Sequence, residues 1–171
     1  MTVLVGMVHN GNVYIGADRG ASDESLILPL KQPKIARVGQ YIIGYSGNIG
    51  VGQLAQCIDL PSIDYKSIKK HLRTTFVKAY KDAIDEYGVY DKDDTSNILI
   101  GIKGRLFEMD TADFQVSEFD MTAVGSGAHF ALGSLYTTNT WKDPIKRITK
   151  AIEVACVLSP TCSLPMDIEV L

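Results

Sequence analysis

An Asn-Gly pair near the N-terminus constrains the fold more than any other feature of this sequence. Asn10 and Gly11 lie between two apolar runs rich in β-branched residues, Val3 to Val8 and Val13 to Ala17. Asn-Gly between two such runs is the strongest short-range signal for a β-hairpin. The sequence therefore predicts that the chain opens with a hairpin whose first strand begins at Thr2.

The register of this hairpin places one acidic residue near the start of the chain. A two-residue turn at Asn10-Gly11 pairs Asp18 with Val3 and Arg19 with Thr2. Facing residues of two paired strands share one side of the sheet. We therefore expect Asp18 to lie close to Thr2 but not to contact it directly.

The rest of the chain alternates between strand-like and helix-like segments. Ala17 to Leu30 has the turn residues of a loop, and apolar residues at helical spacing predict a long helix over Tyr65–Tyr87, capped by Ser62 or Asp64. The other predicted elements are a hairpin over Lys34–Tyr45, a helix over Ile49–Cys57, a buried strand over Asn97–Ile102, a short strand over Gln115–Phe119, a helix ending at Leu135, a helix over Ile145–Leu158 and a strand over Asp167–Leu171. Strands followed by helices, twice over and without a linker or repeat, predict an α+β layered fold in a single domain over residues 1–171.

Composition excludes several classes of function. The 171 residues carry a net charge of −3, which gives no electrostatic reason to expect nucleic acid or an anionic membrane as a partner. No apolar run reaches membrane-spanning length and no secretory signal pattern is present, so we expect a cytoplasmic protein. The three cysteines indicate neither a disulfide framework nor a zinc site, and no nucleotide-binding or zinc-protease motif occurs.

Five residues stand out as candidates for chemistry, although each is unremarkable when it is taken alone. A small residue often follows an initiator Met, and acidic, basic and glycine residues are common at strand ends, turns and helix starts. The five are Thr2, Asp18, Lys34, Gly47 and Ser126.

Taken together and in this order, the segments around these residues resemble the proteasome β-subunit and HslV family of N-terminal-nucleophile threonine peptidases. The resemblance covers nearly the whole chain. It rests on Thr2-Val3-Leu4-Val5-Gly6, Gly16-Ala17-Asp18-Arg19-Gly20-Ala21-Ser22, Pro33-Lys34-Ile35, Gly44-Tyr45-Ser46-Gly47, Val124-Gly125-Ser126-Gly127 and Lys150-Ala151-Ile152-Glu153-Val154-Ala155.

The resemblance implies a fold and an activity. The fold is the four-layer αββα sandwich of N-terminal-nucleophile hydrolases. The activity is that of a threonine-type endopeptidase subunit, which cleaves unfolded polypeptides inside stacked rings of identical subunits fed by a ring-shaped ATPase. The chemistry needs no metal and no organic cofactor.

The resemblance also implies a role for each candidate residue. Thr2, exposed by removal of Met1, supplies the nucleophilic hydroxyl and, from its own α-amine, the general base. Lys34 depresses the pKa of that amine, and Asp18 holds Lys34 in place. Gly47 offers its N–H to the oxyanion, and Ser126 bonds near the amine and relays protons. Tyr45 is expected near the specificity pocket.

The sequence departs from the family pattern near its end. Proteasomal subunits have Asp-x-x-Ser-Gly there, whereas this chain places Ser159, Cys162 and Ser163 at those positions, with Pro160 between them. HslV also repeats Thr after the nucleophile, where this chain has Val3. Two alternatives therefore stay open, a catalytically silent structural ring subunit and an N-terminal-nucleophile amidohydrolase that acts on a small amide.

Overall fold

The structure is a computed structural model that describes residues 1–23, 25–88 and 96–171. Its strands are β1 (Leu4–His9), β2 (Asn12–Asp18), β3 (Gly20–Ser22), β4 (Ile27–Pro29), β5 (Ile35–Val38), β6 (Tyr41–Ser46), β7 (Asn97–Ile102), β8 (Arg105–Asp110), β9 (Val116–Phe119), β10 (Met121–Val124) and β11 (Met166–Val170). Its helices are α1 (Ile49–Cys57), α2 (Ile68–His71), α3 (Val77–Tyr87), α4 (Ala128–Thr137) and α5 (Pro144–Leu158), with a π-helical turn over Leu72–Phe76 between α2 and α3.

The N-terminal hairpin forms in the predicted register. Leu4 pairs with Ala17, and the ladder continues in step as far as the turn. Asn10 and Gly11 both have positive φ, at 50° and 77°, as a tight hairpin turn with the twist of its strands requires. The prediction of this hairpin is confirmed.

Two antiparallel sheets stack face to face at the centre of the molecule. One has the strand order β10-β1-β2-β11, and the other has the order β5-β6-β7-β8-β9. Helices α1 to α3 cover the outer face of the five-stranded sheet, and α4 and α5 cover the outer face of the four-stranded sheet. The αββα sandwich implied by the resemblance is therefore confirmed.

The alternation of side chains along β1 explains how one strand serves two layers. Successive residues of a strand point to opposite faces of the sheet. Val3 and Val5 pack under α4 and α5, whereas Leu4 packs between the two sheets. Thr2 directly precedes this buried strand, so the packing of β1 in the core helps to fix its position.

The helix predictions differ in accuracy. Ile49–Cys57 is helical as predicted, and α5 begins one residue before the predicted Ile145 because Asp143 caps it. The predicted helix over Tyr65–Tyr87 begins only at Ile68, so the expected caps Ser62 and Asp64 are wrong. Asp64 instead accepts the N–H of Lys66 in the preceding turn.

The prediction of a loop over Ala17–Leu30 is wrong in part. β2 continues to Asp18, and β3 pairs with β4 in a short two-stranded sheet. Each of these strands has three residues, too few to show a period-2 pattern in the sequence. Glu24, within the same segment, lies outside the described residues.

Across the ranges that the structure describes, no helix combines the length and apolar character that crossing a membrane requires.

Candidate active site

Thr2 is buried at the start of β1, with 2% of its surface exposed. Its carbonyl accepts the N–H of Gly127 at 3.2 Å, which ties the chain start to the segment before α4. Met1 is still attached, so the Thr2 nitrogen is an amide here. It marks the place that an α-amine would take if Met1 were removed.

Lys34 lies beside the Thr2 hydroxyl. Its Nζ donates to Thr2 Oγ1 at 2.8 Å and to Asp18 Oδ1 at 3.0 Å. It also donates to the carbonyls of Gly20 at 2.6 Å and Met1 at 3.3 Å. The loop before β5 delivers this side chain into the interior, where only 1% of it is exposed.

Asp18 is fully buried at the end of β2 and holds Lys34 without touching Thr2. Its carboxylate accepts three backbone N–H groups, those of Val3 at 3.0 Å, Gly20 at 2.9 Å and Ser163 at 3.1 Å. The hairpin register predicted that Asp18 lies close to Thr2 without direct contact, and this contact set agrees with that prediction.

The protein around Thr2 lowers the pKa of two amines, the side-chain amine of Lys34 and the α-amine of Met1. Burial lowers the pKa of Lys34, while the Asp18 carboxylate opposes the shift. Burial is also the main cause of the lowered pKa of the Met1 α-amine, and the charge of Lys34 adds to it.

Ser126 lies at the Thr2 backbone. Its Oγ accepts the Thr2 N–H at 3.3 Å and stands 3.4 Å from the Thr2 carbonyl oxygen. The preceding Gly125 has φ of +89°, and a Cβ there would lie 2.3 Å from the Thr2 carbonyl oxygen. Only glycine lets this loop approach the Thr2 backbone so closely.

Gly47 lines the same cleft as Thr2 and Lys34. Its φ is +96°, and a Cβ at this position would lie 2.3 Å from Ser96 Oγ. The turn between β6 and α1 therefore needs glycine, which leaves its backbone accessible from the cleft. The structure thus brings all five candidate residues to one place.

The cleft above Thr2 has a volume of about 310 Å³. Its walls come from the β3–β4 hairpin and the start of α1, and are formed by Met1, Thr2, Gly20, Ala21, Ser22, Asp23, Leu26, Leu28, Lys34, Gly47 and Ile49. Tyr45 is not among them. It is 1% exposed and packs in the core under α1, so it does not line this cleft. The reason is that Tyr45 points to the helix-facing side of β6.

Sequence reasoning missed several groups that complete the site. The Gly20 backbone contacts both Lys34 and Asp18, and a backbone contact leaves no signal in a sequence. Thr161 was not singled out, yet its hydroxyl lies 2.7 Å from Ser126 Oγ. Ser159 was noted only as a departure from the family pattern, and its Oγ lies 2.9 Å from the Thr161 hydroxyl oxygen.

Within the described ranges, no group of three or more His, Cys, Asp or Glu side chains is arranged to hold a metal ion. Cys57, Cys156 and Cys162 are all unpaired thiols. The groups around Thr2 can activate a hydroxyl, because the Lys34 ammonium contacts that hydroxyl and, without Met1, an amine would lie on the same residue.

Comparison with known proteins places this geometry in context. No protein-family model matches the chain. A proteasome β subunit of Frankia casuarinae is 26% identical over 152 residues, which are 78% of this chain and 53% of that protein. The chain thus spans about half the length of this curated relative.

Two solved structures share the whole fold. BPH from Thiobacillus denitrificans, solved in complex with epoxomicin, superposes with a TM-score of 0.80 at 20% identity, over 99% of this chain and 97% of that one. Eukaryotic HslV from Trypanosoma brucei gives a TM-score of 0.72 at 16% identity, over 99% and 98% of the two chains. The resemblance to the proteasome β-subunit and HslV family of N-terminal-nucleophile hydrolases is confirmed, and the chain has the fold of that family.

Proposed function

We propose that this chain is a threonine peptidase that hydrolyses peptide bonds with the N-terminal Thr2 exposed by removal of Met1. The observation that carries the proposal is the hydrogen bond from the buried Lys34 ammonium to the Thr2 hydroxyl at 2.8 Å. Burying a lysine and a carboxylate costs free energy, and buried ionisable groups beside a cleft are typical of functional sites.

The proposed reaction has two halves. The Thr2 α-amine takes the hydroxyl proton while Oγ1 attacks the carbonyl carbon of the scissile bond, and Lys34 stabilises the charge that develops on Oγ1. The backbone N–H of Gly47 serves the oxyanion. The amine then gives its proton to the leaving nitrogen, and the C–N bond breaks to leave an ester on Thr2. Water hydrolyses this ester with the amine again acting as base.

Assembly into rings is part of the proposal. Large apolar side chains are exposed on the outer helical layer and the turn after α4, including Trp141 at 45%, Leu158 at 55% and Val157 at 82%. Exposed apolar groups clustered on one face are typical of an interaction surface. We propose that copies of this chain pack there in stacked rings, that a ring-shaped ATPase feeds unfolded polypeptide to them, and that residues 1–171 form one domain.

The decisive experiment is covalent labelling of Thr2. A sample that begins at Thr2 is treated with epoxomicin, which binds the Thiobacillus denitrificans relative, and its intact mass is measured. We expect one adduct per chain, located on the N-terminal peptide, together with turnover of a fluorogenic peptide. Thr2→Ala should lose both, and Thr2→Ser should keep the adduct. Unchanged turnover by Thr2→Ala would reject the proposal.

Assembly is tested separately by light scattering at micromolar concentration and physiological salt. A mass of several chains supports the ring proposal, and a monomer contradicts it. The variant Val157→Ser should weaken the assembly, whereas Ser62→Ala, on the opposite helical side, should not.

A second candidate function is a silent ring subunit. It is favoured by Ser159, which supplies a hydroxyl where the proteasomal pattern has a carboxylate. Rings that form without an epoxomicin adduct would select this function. A small oligomer that hydrolyses a small amide, but no peptide, would select the amidohydrolase alternative.

A further inference from the structure

Thr161 reaches the candidate active site from the turn after α5. Its hydroxyl oxygen lies 2.7 Å from Ser126 Oγ and 2.9 Å from Ser159 Oγ. Ser126 Oγ in turn lies 3.3 Å from the Thr2 nitrogen. Three hydroxyls thus form a chain that ends at the atom which becomes the α-amine when Met1 is removed.

The hydrogen bonds of Ser126 indicate the direction in which the protons of this chain point. Ser126 Oγ donates its one proton to the Thr2 carbonyl oxygen at 3.4 Å, so it accepts in its contact with Thr161. Thr161 then donates to Ser126, and its oxygen accepts from Ser159. With Met1 attached, the Ser126 proton points to the Thr2 carbonyl, whereas an amine at the Thr2 nitrogen would offer a lone pair 3.3 Å from the same Oγ.

Two further contacts hold the turn that carries Thr161 in place. Ser159 is buried and is tied to α5 by its N–H, which donates to the Ala155 carbonyl at 2.8 Å. The Thr161 carbonyl accepts the hydroxyl of Ser22 at 3.2 Å, which anchors the turn to β3. The backbone of Thr161 is therefore held on two sides, through its N–H by Ser159 and through its carbonyl by Ser22.

We propose that Thr161 is a positioning residue of this site, whose hydroxyl, held between Ser159 and Ser126, orients the Ser126 proton toward the Thr2 amine. Thr161 contacts neither Thr2 nor the cleft above it. A donor aimed at the lone pair of the amine favours its neutral form, which is the form that acts as a base. The inference rests on the proposed peptidase function for its use in catalysis, but the effect on the amine can be measured without turnover.

Other titratable groups face the same nitrogen and must stay unchanged in the test. Lys34 and Asp18 approach it from the loop before β5 and the end of β2. Cys162 Sγ lies 3.9 Å from Ser126 Oγ, and Cys156 belongs to α5, the helix that precedes this turn. Thr161→Val removes one hydroxyl at nearly constant volume and changes none of these four.

The expected effect is a rise in the pKa of the Thr2 amine. One hydrogen bond of ordinary strength corresponds to a rise of roughly 0.5–1 pKa unit in Thr161→Val. Ser159→Ala should shift the pKa in the same direction, since the Thr161 proton loses the partner that orients it. Thr161→Ser keeps the hydroxyl and should restore the wild-type value. Thr137→Val, which removes a hydroxyl bonded to the Ser134 carbonyl on α4, is the matched control.

The experiment titrates the α-amine directly in chains that begin at Thr2. Limiting acetic anhydride is added at a series of pH values, and mass spectrometry of the N-terminal peptide gives the fraction acetylated. A raised amine pKa in Thr161→Val, with the wild-type value in Thr161→Ser and Thr137→Val, supports the proposal. An unchanged pKa in Thr161→Val, or a shift that Thr161→Ser shares, overturns it.

Peptide turnover and epoxomicin labelling of the same samples separate this inference from the proposed function. If the wild-type chain neither turns over peptide nor takes up epoxomicin, but its amine pKa still depends on Thr161, the peptidase proposal fails and the positioning role stands. If the wild-type chain is active and the acid limb of kcat/KM does not move in Thr161→Val, the positioning role fails and the peptidase proposal stands.

Discussion

The Lys34 ammonium and the Thr2 hydroxyl are joined by a hydrogen bond of 2.8 Å inside the protein. Lysine has three protons to donate, and four oxygens surround them. The longest of these contacts, at 3.3 Å, is to the Met1 carbonyl. Removal of Met1 would therefore leave three acceptors for three protons, on Thr2, Asp18 and Gly20. Each of the three protons would then have one acceptor.

Lys34→Ala should lower kcat by about 10²–10³-fold, the usual loss when one electrostatic stabiliser is removed. The fold should survive, because Asp18 keeps three backbone N–H donors. Lys31→Ala is the control, since Lys31 is exposed and only its carbonyl is used, by Arg19. Peptide turnover and circular dichroism of both variants provide the check. Equal losses in the two variants would show that Lys34 has no special role.

Activity should rise with pH along the deprotonation of the Thr2 amine. Burial and the Lys34 charge lower the pKa of an amine at this end of the chain. A base with a lowered pKa is already neutral at lower pH, so the acid limb of kcat/KM should lie below the ordinary α-amine range of about 7.7–8.0. A pH–rate profile of the processed protein measures this limb. A limb at or above about pH 8 would contradict the expected lowering of the amine pKa.

The sequence predicted the parts of the site that depend on particular side chains at particular positions along the chain. Asn10-Gly11 sets the hairpin register, and the register alone places Asp18 beside the start of the chain. Thr161 could not be found in this way, because it lies 35 residues after Ser126 in the sequence and meets it only where the turn after α5 folds back onto Ser126. The β3–β4 hairpin was missed for a related reason, since three-residue strands are stabilised by their surroundings and not by a local pattern.

Two glycines of α1 should respond to alanine in opposite directions. A Cβ on Gly52 would lie 2.0 Å from the ring of Tyr45, whereas a Cβ on Gly50 would have its nearest neighbour at 3.4 Å. Gly52→Ala should therefore destabilise by roughly 1–3 kcal/mol through overpacking. Gly50→Ala should be neutral or stabilise by up to about 1 kcal/mol through helix propensity. Urea unfolding of the pair gives both values, and equal effects would mean that Tyr45 does not pack against α1 as described.

Glu118 should make stability depend on pH in the acid range. Arg105 holds both of its carboxylate oxygens, at 2.6 and 2.9 Å, Lys69 of α2 adds a contact at 2.7 Å, and the pKa of Glu118 is lowered from 4.5 to about 2. A lowered carboxyl pKa gives stability that is fully present above pH 4.5 and is lost as pH falls toward about 2.

The variant Glu118→Gln should therefore be less stable than the wild type by about 1 kcal/mol at pH 7, and the gap should narrow as the pH falls to about 3. Urea midpoints across this range measure the gap. Asp82→Asn is the control, because Asp82 forms an exposed i,i+4 pair with Lys78 and should change stability little at any pH. A gap that stays constant with pH would remove the Glu118 carboxylate as its cause.

Activity should require the removal of Met1. With Met1 attached, the Thr2 nitrogen is an amide, which has no basic lone pair to accept the hydroxyl proton. Lys34 cannot replace it as long as its ammonium is held by Asp18. General-base assistance is typically worth about 10²–10⁴-fold, so the unprocessed chain should be nearly inert.

The test of this prediction compares two fusion proteins, one cleaved to leave Thr2 as the first residue and one cleaved to leave Met1. Intact mass confirms each N-terminus before turnover and epoxomicin uptake are measured. Activity should follow the Thr2-first sample alone, because only that sample has both a nucleophile and a base on one residue. Full turnover by a homogeneous Met1-bearing sample would rule out the α-amine as the base and require another group in the cleft to accept the proton.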